Sequence, residues 1–516
     1  MFAVGFACLG AALATDGTPD FKNYHYYNGF AAHHDRSALD IFPAQLQTAF
    51  FNGLDAVYYP LFVALDGYPT ALNVLLSLPY ALAAFLVFLM ARLVLPVGFP
   101  LRDPACAAGA ILGLTGAGAL PTMATTMSDL VPGVPLLAAL TAWLYLERGG
   151  RNTVRSAFLV GAAAGLSVGL KMTLTPLFVG LLCAAASRQA FGVKGALAQA
   201  MALGMGGLIA YITLDAHWLL ANYRAYGNPL FPLMNNVFRS DLVDHGVWTD
   251  LRFMPRNTLM ALLYPAYWAF RPSHLTIELD MRDARILVGL ASAVLVLLAH
   301  LASRLRARGT RGSGGDIVGL QLALVFLVAY FLWERVWSIY RYLSVAECLV
   351  GVLLLIALTT IIGKRVPRGW VVAAYFGGVG VILATTQYPW WSRAQRTGHV
   401  VTVRMPPIEP DAMVVLLDPY AYSYLVPSLP ESVRVVGANN NLVRPGSWGV
   451  LERRIEDAIR HHGGPLWGME YPEAFPGIAD ATLKHHGLER GASCALVETN
   501  IEDHPLVRLC RLRRGS

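Results

Sequence analysis

Thr70-Ala-Leu-Asn-Val-Leu-Leu-Ser-Leu-Pro-Tyr-Ala-Leu-Ala-Ala-Phe-Leu-Val-Phe-Leu-Met-Ala-Arg-Leu-Val94 carries a single charged residue, Arg92, close to its end. About 20 apolar residues at 1.5 Å each cross roughly 30 Å of hydrocarbon, so the stretch reads as a membrane span. Similar windows recur up to about Gln387, at roughly 1–15, 104–120, 131–147, 156–170, 172–187, 195–214, 285–302, 317–333, 342–362 and 370–387. The composition agrees: 55% of the 516 residues are hydrophobic and 14% charged, against roughly a quarter charged in soluble domains. The expectation is an α-helical polytopic membrane protein with about eleven transmembrane helices.

Lys and Arg gather in alternate short connections: Arg92 and Arg102; Arg148, Arg151 and Arg155; Arg188 and Lys194; Arg304, Arg306, Arg308 and Arg311; Lys364, Arg365 and Arg368. The positive-inside rule turns these to the cytoplasm. The opposite side then receives the segments 16–69, 121–130, 215–284 and 334–341, and the whole tail. The chain divides into a membrane region, 1–388, and an outer domain, 389–516. Met1 opens directly in apolar sequence with no basic flank, which suits a mis-set or truncated start better than a cleaved signal peptide.

The tail reads as a small α/β soluble domain. Met413 to Asp418 and Val433 to Val436 are expected as buried strands, and Trp448 to His462 as an amphipathic helix. Cys494 and Cys510 sit in two short apolar runs that suit neighbouring strands, so a disulfide in an oxidising compartment is one reading and two free thiols the other. His461-His462 and His485-His486 resemble metal ligands, but adjacent histidines on a helix diverge, and solvated or capping roles fit better. No GxGxxG, Walker, HExxH or paired CxxC pattern occurs at a useful place. Soluble nucleotide or zinc chemistry therefore has no support, and no nucleic-acid partner is expected.

What remains is charge at the outer ends of spans. Asp16 and Asp20 lie in Asp16-Gly-Thr-Pro-Asp-Phe-Lys-Asn-Tyr-His-Tyr-Tyr-Asn28, straight after the first apolar run. Asp129 precedes another span, where it could cap the helix or do chemistry. Lys171 stands between two apolar runs with almost no loop, so its ammonium must snorkel or meet an anion. Arg256, Arg271 and Arg341, with Tyr342, lie on the same expected face and suit a phosphate, although lipid headgroups would explain any one of them. Residues 40–60, with Phe42, Leu46, Phe50, Phe51, Leu54, Val57 and Tyr58 at helical spacing, read as a helix lying along the outer interface.

This layout resembles the GT-C superfamily, integral membrane glycosyltransferases that take a sugar from a polyprenyl-phosphate carrier. The likeness rests on four places: the acidic first outer loop; Ser128-Asp129 before Pro135-Leu136; the run Gly165-Leu-Ser-Val-Gly-Leu-Lys171; and Arg341-Tyr342 opening a late span. The sequence departs from the family pattern in having Asp16 and Asp20 four apart and Leu130-Val131-Pro132 ahead of the Pro-Leu run. The resemblance implies an inverting single displacement, with Asp20 as base and Asp129 orienting the acceptor or holding a metal. Lys171, Arg256, Arg271, Arg341 and Tyr342 would bind the donor phosphate. Asp16, His25, Tyr26, Tyr27 and Asn28 would face the acceptor or support Asp20, with interface anchoring the other reading of the tyrosines. No cofactor is expected, and a divalent metal is left open.

The partners implied are a polyprenyl-phosphate sugar, membrane lipids and a glycan, lipid or protein acceptor, in a bacterial plasma membrane with the tail on the periplasmic side. A lipid-linked glycan flippase, or a ligase or polymerase of the O-antigen kind, is the alternative. A transporter usually places ionisable groups at mid-bilayer, and Glu347 is the nearest case here.

Overall fold

The computed structural model describes residues 1–187, 192–307, 314–361, 363, 366–502 and 507–515. Arg188, Arg308, Arg311, Lys364 and Arg365, among the expected cytoplasmic charges, lie outside the described residues. Seven helices among the described residues are long and apolar enough to cross a membrane: Pro69–Val94, Leu130–Arg148, Gly192–Tyr226, Arg285–Ser303, Ile317–Val336, Tyr340–Ile361 and Arg368–Thr385. The other four expected spans also contain helices, Phe2–Ala12, Arg102–Leu114, Val154–Leu170 and Thr175–Ala186, of 11, 13, 17 and 12 residues. At 1.5 Å per residue these run only about 16–26 Å against roughly 30 Å of hydrocarbon. Seven spans are therefore supported by length and composition among the described residues, and the expected count of eleven is not confirmed. Gly192–Tyr226 errs the other way: its 35 residues make about 52 Å, some 20 Å more than a bilayer core needs.

The helices have a consistent polarity. Pro69–Val94 starts beside the first segment, where Asn73 Nδ2 donates to Leu13 O at 2.9 Å, and ends at Arg92. Leu130–Arg148 starts after Asp129 and ends at Arg148. The segments expected outside meet one another at the opposite end from these arginines. Thr126 N donates to Asp16 Oδ2 at 2.6 Å, Tyr340 N to Thr276 O at 2.7 Å and Asn222 Nδ2 to Ala49 O at 3.0 Å.

Lipid tails are as apolar as leucine, so close backbone approach carries much of the helix association. Val154–Leu170 and Gly192–Tyr226 achieve it with glycine. A Cβ on Gly165 would fall 2.6 Å from Gly207 Cα, and one on Gly161 would strike Leu203 O. That seam ends at Lys171, the residue after Val154–Leu170.

The tail folds round a six-stranded sheet: β1 Val403–Arg404, β2 Met413–Leu416, β3 Arg434–Gly437, β4 Leu466–Glu470, β5 Leu488–Thr499 and β6 Val507–Arg514. The order is β1-β5-β6-β4-β2-β3, with β2 parallel to β3 and β4 and the other pairs antiparallel. Cys494 and Cys510 face each other across β5 and β6 and form a disulfide. The expected amphipathic helix is present as Val450–His461, burying Leu451, Ile455 and Ile459.

Strand alternation sends Met413, Val415 and Leu417 to one face, covered by that helix and by Ile478–His485. Val414 and Leu416 go to the other, where Phe21, Tyr27, Phe30 and Phe62 of residues 16–69 cover them. The same segment also lines the sheet edge: Ile41 N donates to Val435 O at 2.9 Å and Gly437 N to Ile41 O at 2.8 Å. Residues 389–516 thus share one core with residues 16–69.

This explains why 40–60 is not one interfacial helix. Ile41 is paired to β3, a 3-10 turn occupies Gln45–Ala49, and the helix begins only at Gly53–Ala64. Apolar residues at helical spacing here serve sheet pairing and loop packing as well as a helix.

Candidate functional site

Asp20 precedes a single π-helical turn, Phe21–His25, a geometry frequent at functional sites. The turn brings the Tyr24 hydroxyl back to donate to Asp20 Oδ2 at 3.1 Å. Arg341 comes from the far end of the sequence, in the 3-10 turn Tyr340–Leu343 that opens a span. Its Nη1 lies 2.5 Å from the same Asp20 oxygen. Two hydrogen bonds aim that turn: Trp333 Nε1 to Ile339 O at 2.7 Å and Tyr340 N to Thr276 O at 2.7 Å.

Lys171 breaks the chain direction at the end of Val154–Leu170, in extended conformation, and its Nζ sits 2.7 Å from Asp129 Oδ1. Asp129 occupies the N-cap position of Leu130–Arg148 but makes no capping hydrogen bond. The carboxylate instead serves the ion pair, and neither of its oxygens has another partner among the described residues. Its side chain is 1% exposed and that of Lys171 20%.

These two ion pairs are one electrostatic unit, because Lys171 acts on Asp20 and Asp129 acts on Arg341. Burial alone would raise the Asp20 carboxyl; Arg341, His25 and Lys171 together outweigh it and hold the group below the ordinary carboxylate value. Burial, reinforced by the Asp20 charge, pushes the Tyr24 phenol well above its ordinary value, so Tyr24 stays a donor.

A third pair adjoins them. His25 Nδ1 lies 2.6 Å from Asp55 Oδ1, the two side chains being 11% and 5% exposed. Burial pushes Asp55 above the ordinary range, and the neighbouring His25 pulls it part of the way back. Asp55 escapes sequence reasoning because it lies inside the run read as an interfacial helix. A lone acidic residue among apolar ones was the available signal.

The remaining sequence candidates divide. Asp16 sits four residues from Asp20, but its carboxylate accepts from Thr18 N and Oγ1, at 3.0 and 2.7 Å, and from Thr126 N and Oγ1, at 2.6 and 2.7 Å. Four donors fill a carboxylate's acceptor sites, so Asp16 clasps the first segment to the one carrying Asp129. Tyr27 donates to Asp40 Oδ2 at 2.9 Å and Asn28 Nδ2 to Gln47 O at 3.0 Å, both structural uses. Tyr26 is packed against Phe21, Tyr59 and Phe62.

Tyr342 places its ring 5.5 Å from the Arg341 guanidinium. Arg256 and Arg271 are exposed and flank Thr258–Phe270, a 13-residue helix. About 20 Å of helix separates them, so they do not converge on one phosphate. Glu347 meets no cation directly: it accepts from Gly118 N and Ala119 N at 3.1 Å each, while Asp283 accepts from Ala117 N at 2.9 Å. Those bonds fix the turn that leads towards Asp129.

In the tail, His485 Nε2 lies 3.0 Å from both Glu452 and Glu456. The three are partly exposed, the setting of a surface ion pair.

Among the described residues, five polar groups on the segments that carry the two ion pairs are shut off from solvent yet lack a full set of partners: Asn23 Oδ1, His25 Nε2, the Asp129 oxygens beyond the ion pair, Thr173 Oγ1 and Arg341 Nε. Leaving such a group unsatisfied costs about 1–3 kcal/mol, a cost that a bound polar ligand would relieve.

No protein-family model matches the chain, and no curated protein matches it in sequence.

Proposed function

We propose that the protein is an inverting glycosyltransferase that moves one sugar from a polyprenyl-phosphate carrier to an acceptor nucleophile at the outer face of a bacterial plasma membrane. The observation that carries this reading is the pairing of Arg341 with Asp20 and Lys171 with Asp129 beside buried polar atoms that lack partners. Both cations stand where apolar helices begin or break, which suits a lipid-linked phosphate in this reading.

The chemistry needs little beyond this. A sugar on a phosphate already has a good leaving group, so the protein must orient the two substrates, stabilise the departing phosphate and accept one proton. An arriving phosphate would exchange with the carboxylates for Lys171 and Arg341. Losing its arginine would return Asp20 towards ordinary basicity. Asp20 and His25 are the candidates to receive the acceptor's proton.

The donor set does not suit a divalent metal. Each carboxylate that would bind one already has a cation at 2.5 or 2.7 Å. Orientation draws support from the arginines at the opposite helix ends and from the Cys494–Cys510 disulfide, which belongs in an oxidising compartment. The acceptor is a glycan, a lipid or a protein, and the surrounding lipids complete the donor site.

The test is transfer of labelled sugar from a panel of polyprenyl-phosphate sugars to native membrane extract by the purified protein, with Lys171→Met beside it. Transfer that is lost in Lys171→Met supports the reading. Donor binding with no transfer from any donor favours a flippase or ligase instead.

A further inference from the structure

Once a carboxylate has bound one nitrogen of a histidine, the other nitrogen becomes available for proton transfer, and His25 is held in this way. Its Nδ1 is 2.6 Å from Asp55 Oδ1, and both side chains are almost wholly buried. With Nδ1–H donating to the carboxylate, Nε2 carries a lone pair. That Nε2 is closed to solvent and has no hydrogen-bond partner among the described residues, so its lone pair is unspent.

Its neighbours are the groups of the candidate site. The ring lies 4.0 Å from that of Tyr24, whose hydroxyl holds Asp20. Asp20 engages both Arg341 Nη1 and the Tyr24 hydroxyl through one oxygen, which ties it to the cation of the candidate site.

We propose that His25 Nε2 is the catalytic base of the transfer and that Asp55 is its positioning residue. The proposal rests on the glycosyltransferase reading. The acceptor oxygen bonds to the anomeric carbon as the bond from that carbon to the phosphate oxygen breaks. The bonding pair leaves with the polyprenyl phosphate, and the hydroxyl proton passes to Nε2. The resulting imidazolium is stabilised by Asp55 and loses its proton to water after the product departs. Asp20, in this scheme, governs Arg341 and therefore donor binding.

The experiment is steady-state transfer by the purified full-length protein, using labelled polyprenyl-phosphate sugars and native membrane extract. His25→Ala should lower turnover about 10²–10⁴-fold, the range for a lost general base, while the KM for donor changes little. Added imidazole should restore part of that turnover, a rescue that a packing role for His25 cannot give. Asp55→Asn, which favours the wrong tautomer, should also reduce turnover, and Asp55→Glu should recover part of it.

Full turnover in His25→Ala, or a loss that imidazole leaves unchanged, would overturn the proposal while the wild-type activity keeps the glycosyltransferase reading standing. If His25→Ala does not fold, the Asp55 pair decides: unchanged turnover in Asp55→Asn overturns the proposal. Absence of transfer by the wild type from every donor removes the reading beneath it, and the proposal falls with that reading.

Discussion

Asp20 and Arg341, 321 residues apart in sequence, meet through one carboxylate oxygen at 2.5 Å, and the pair joins the first outer segment to the start of a late span. Removing one member of a buried pair leaves the other charge uncompensated, at about 3–5 kcal/mol. Arg341→Gln should therefore destabilise the protein by about 3 kcal/mol. The double variant with Asp20→Asn should lose less than the two single losses summed, by about 0.5–3 kcal/mol. Thermal unfolding in detergent measures both, and strict additivity would show that the contact contributes nothing.

The pH dependence of this pair follows from the depressed Asp20 carboxyl. A carboxyl held lower in the folded than in the unfolded state stabilises the fold above the unfolded value, about pH 3.9. That stability is lost as pH falls through the folded value. The stability difference between wild type and Asp20→Asn should hold steady from neutral pH to about pH 5 and shrink only below about pH 4. A difference that already fades near pH 6 contradicts the assignment.

Lys171 is the sole described partner of Asp129. Lys171→Met should strand a buried carboxylate and cost several kcal/mol, about 3 by analogy with other broken pairs. Adding Asp129→Asn should recover much of the stability but none of the donor binding. Binding of a labelled polyprenyl-phosphate sugar, read beside the melting temperature, separates these effects.

Gly165 admits the Gly192–Tyr226 backbone at a distance no side chain tolerates. Gly165→Leu should push the two helices apart, costing at least about 1–3 kcal/mol for overpacking. It should also weaken donor binding, because Lys171 lies at the end of the same helix. Gly377, where a Cβ meets nothing within 4 Å, provides the control: Gly377→Leu should leave binding unchanged.

Cys494 and Cys510 should resist a membrane-impermeant maleimide on intact cells and accept it after reduction, if the tail lies outside. Their double replacement by serine should destabilise the tail by about 2–4 kcal/mol, seen as faster proteolysis. Labelling only after the membrane is opened would reverse the orientation.

Features with a local signature were legible in the sequence. The seven long spans, the strands at Met413 and Arg434 and the helix at Val450 each follow from a run of side chains with one period. The members of the two ion pairs were also legible, as charges at span ends. Their partnerships were not: Asp20 with Arg341, Lys171 with Asp129 and His25 with Asp55 are contacts between distant segments. Arg256 and Arg271 misled because sharing an outer segment does not imply convergence. Asp16 misled because a carboxylate that clasps two loops has the same sequence context as one that does chemistry. The helix expected over 40–60 failed where tertiary pairing of Ile41 overrode local periodicity.

The shared core of residues 16–69 and the tail sheet also sets an order of assembly. Phe21, Tyr27, Phe30 and Phe62 leave the ribosome with nothing to cover, since β2 follows on the order of 350 residues later, roughly 20–70 s at ordinary translation rates. During that interval the chain has threaded most of its spans, yet Asp20, His25 and Asp55 stand on an unfinished layer. Completion of the C-terminal strands, and not insertion of the last span, is then the event that switches the protein from a membrane intermediate to a working one.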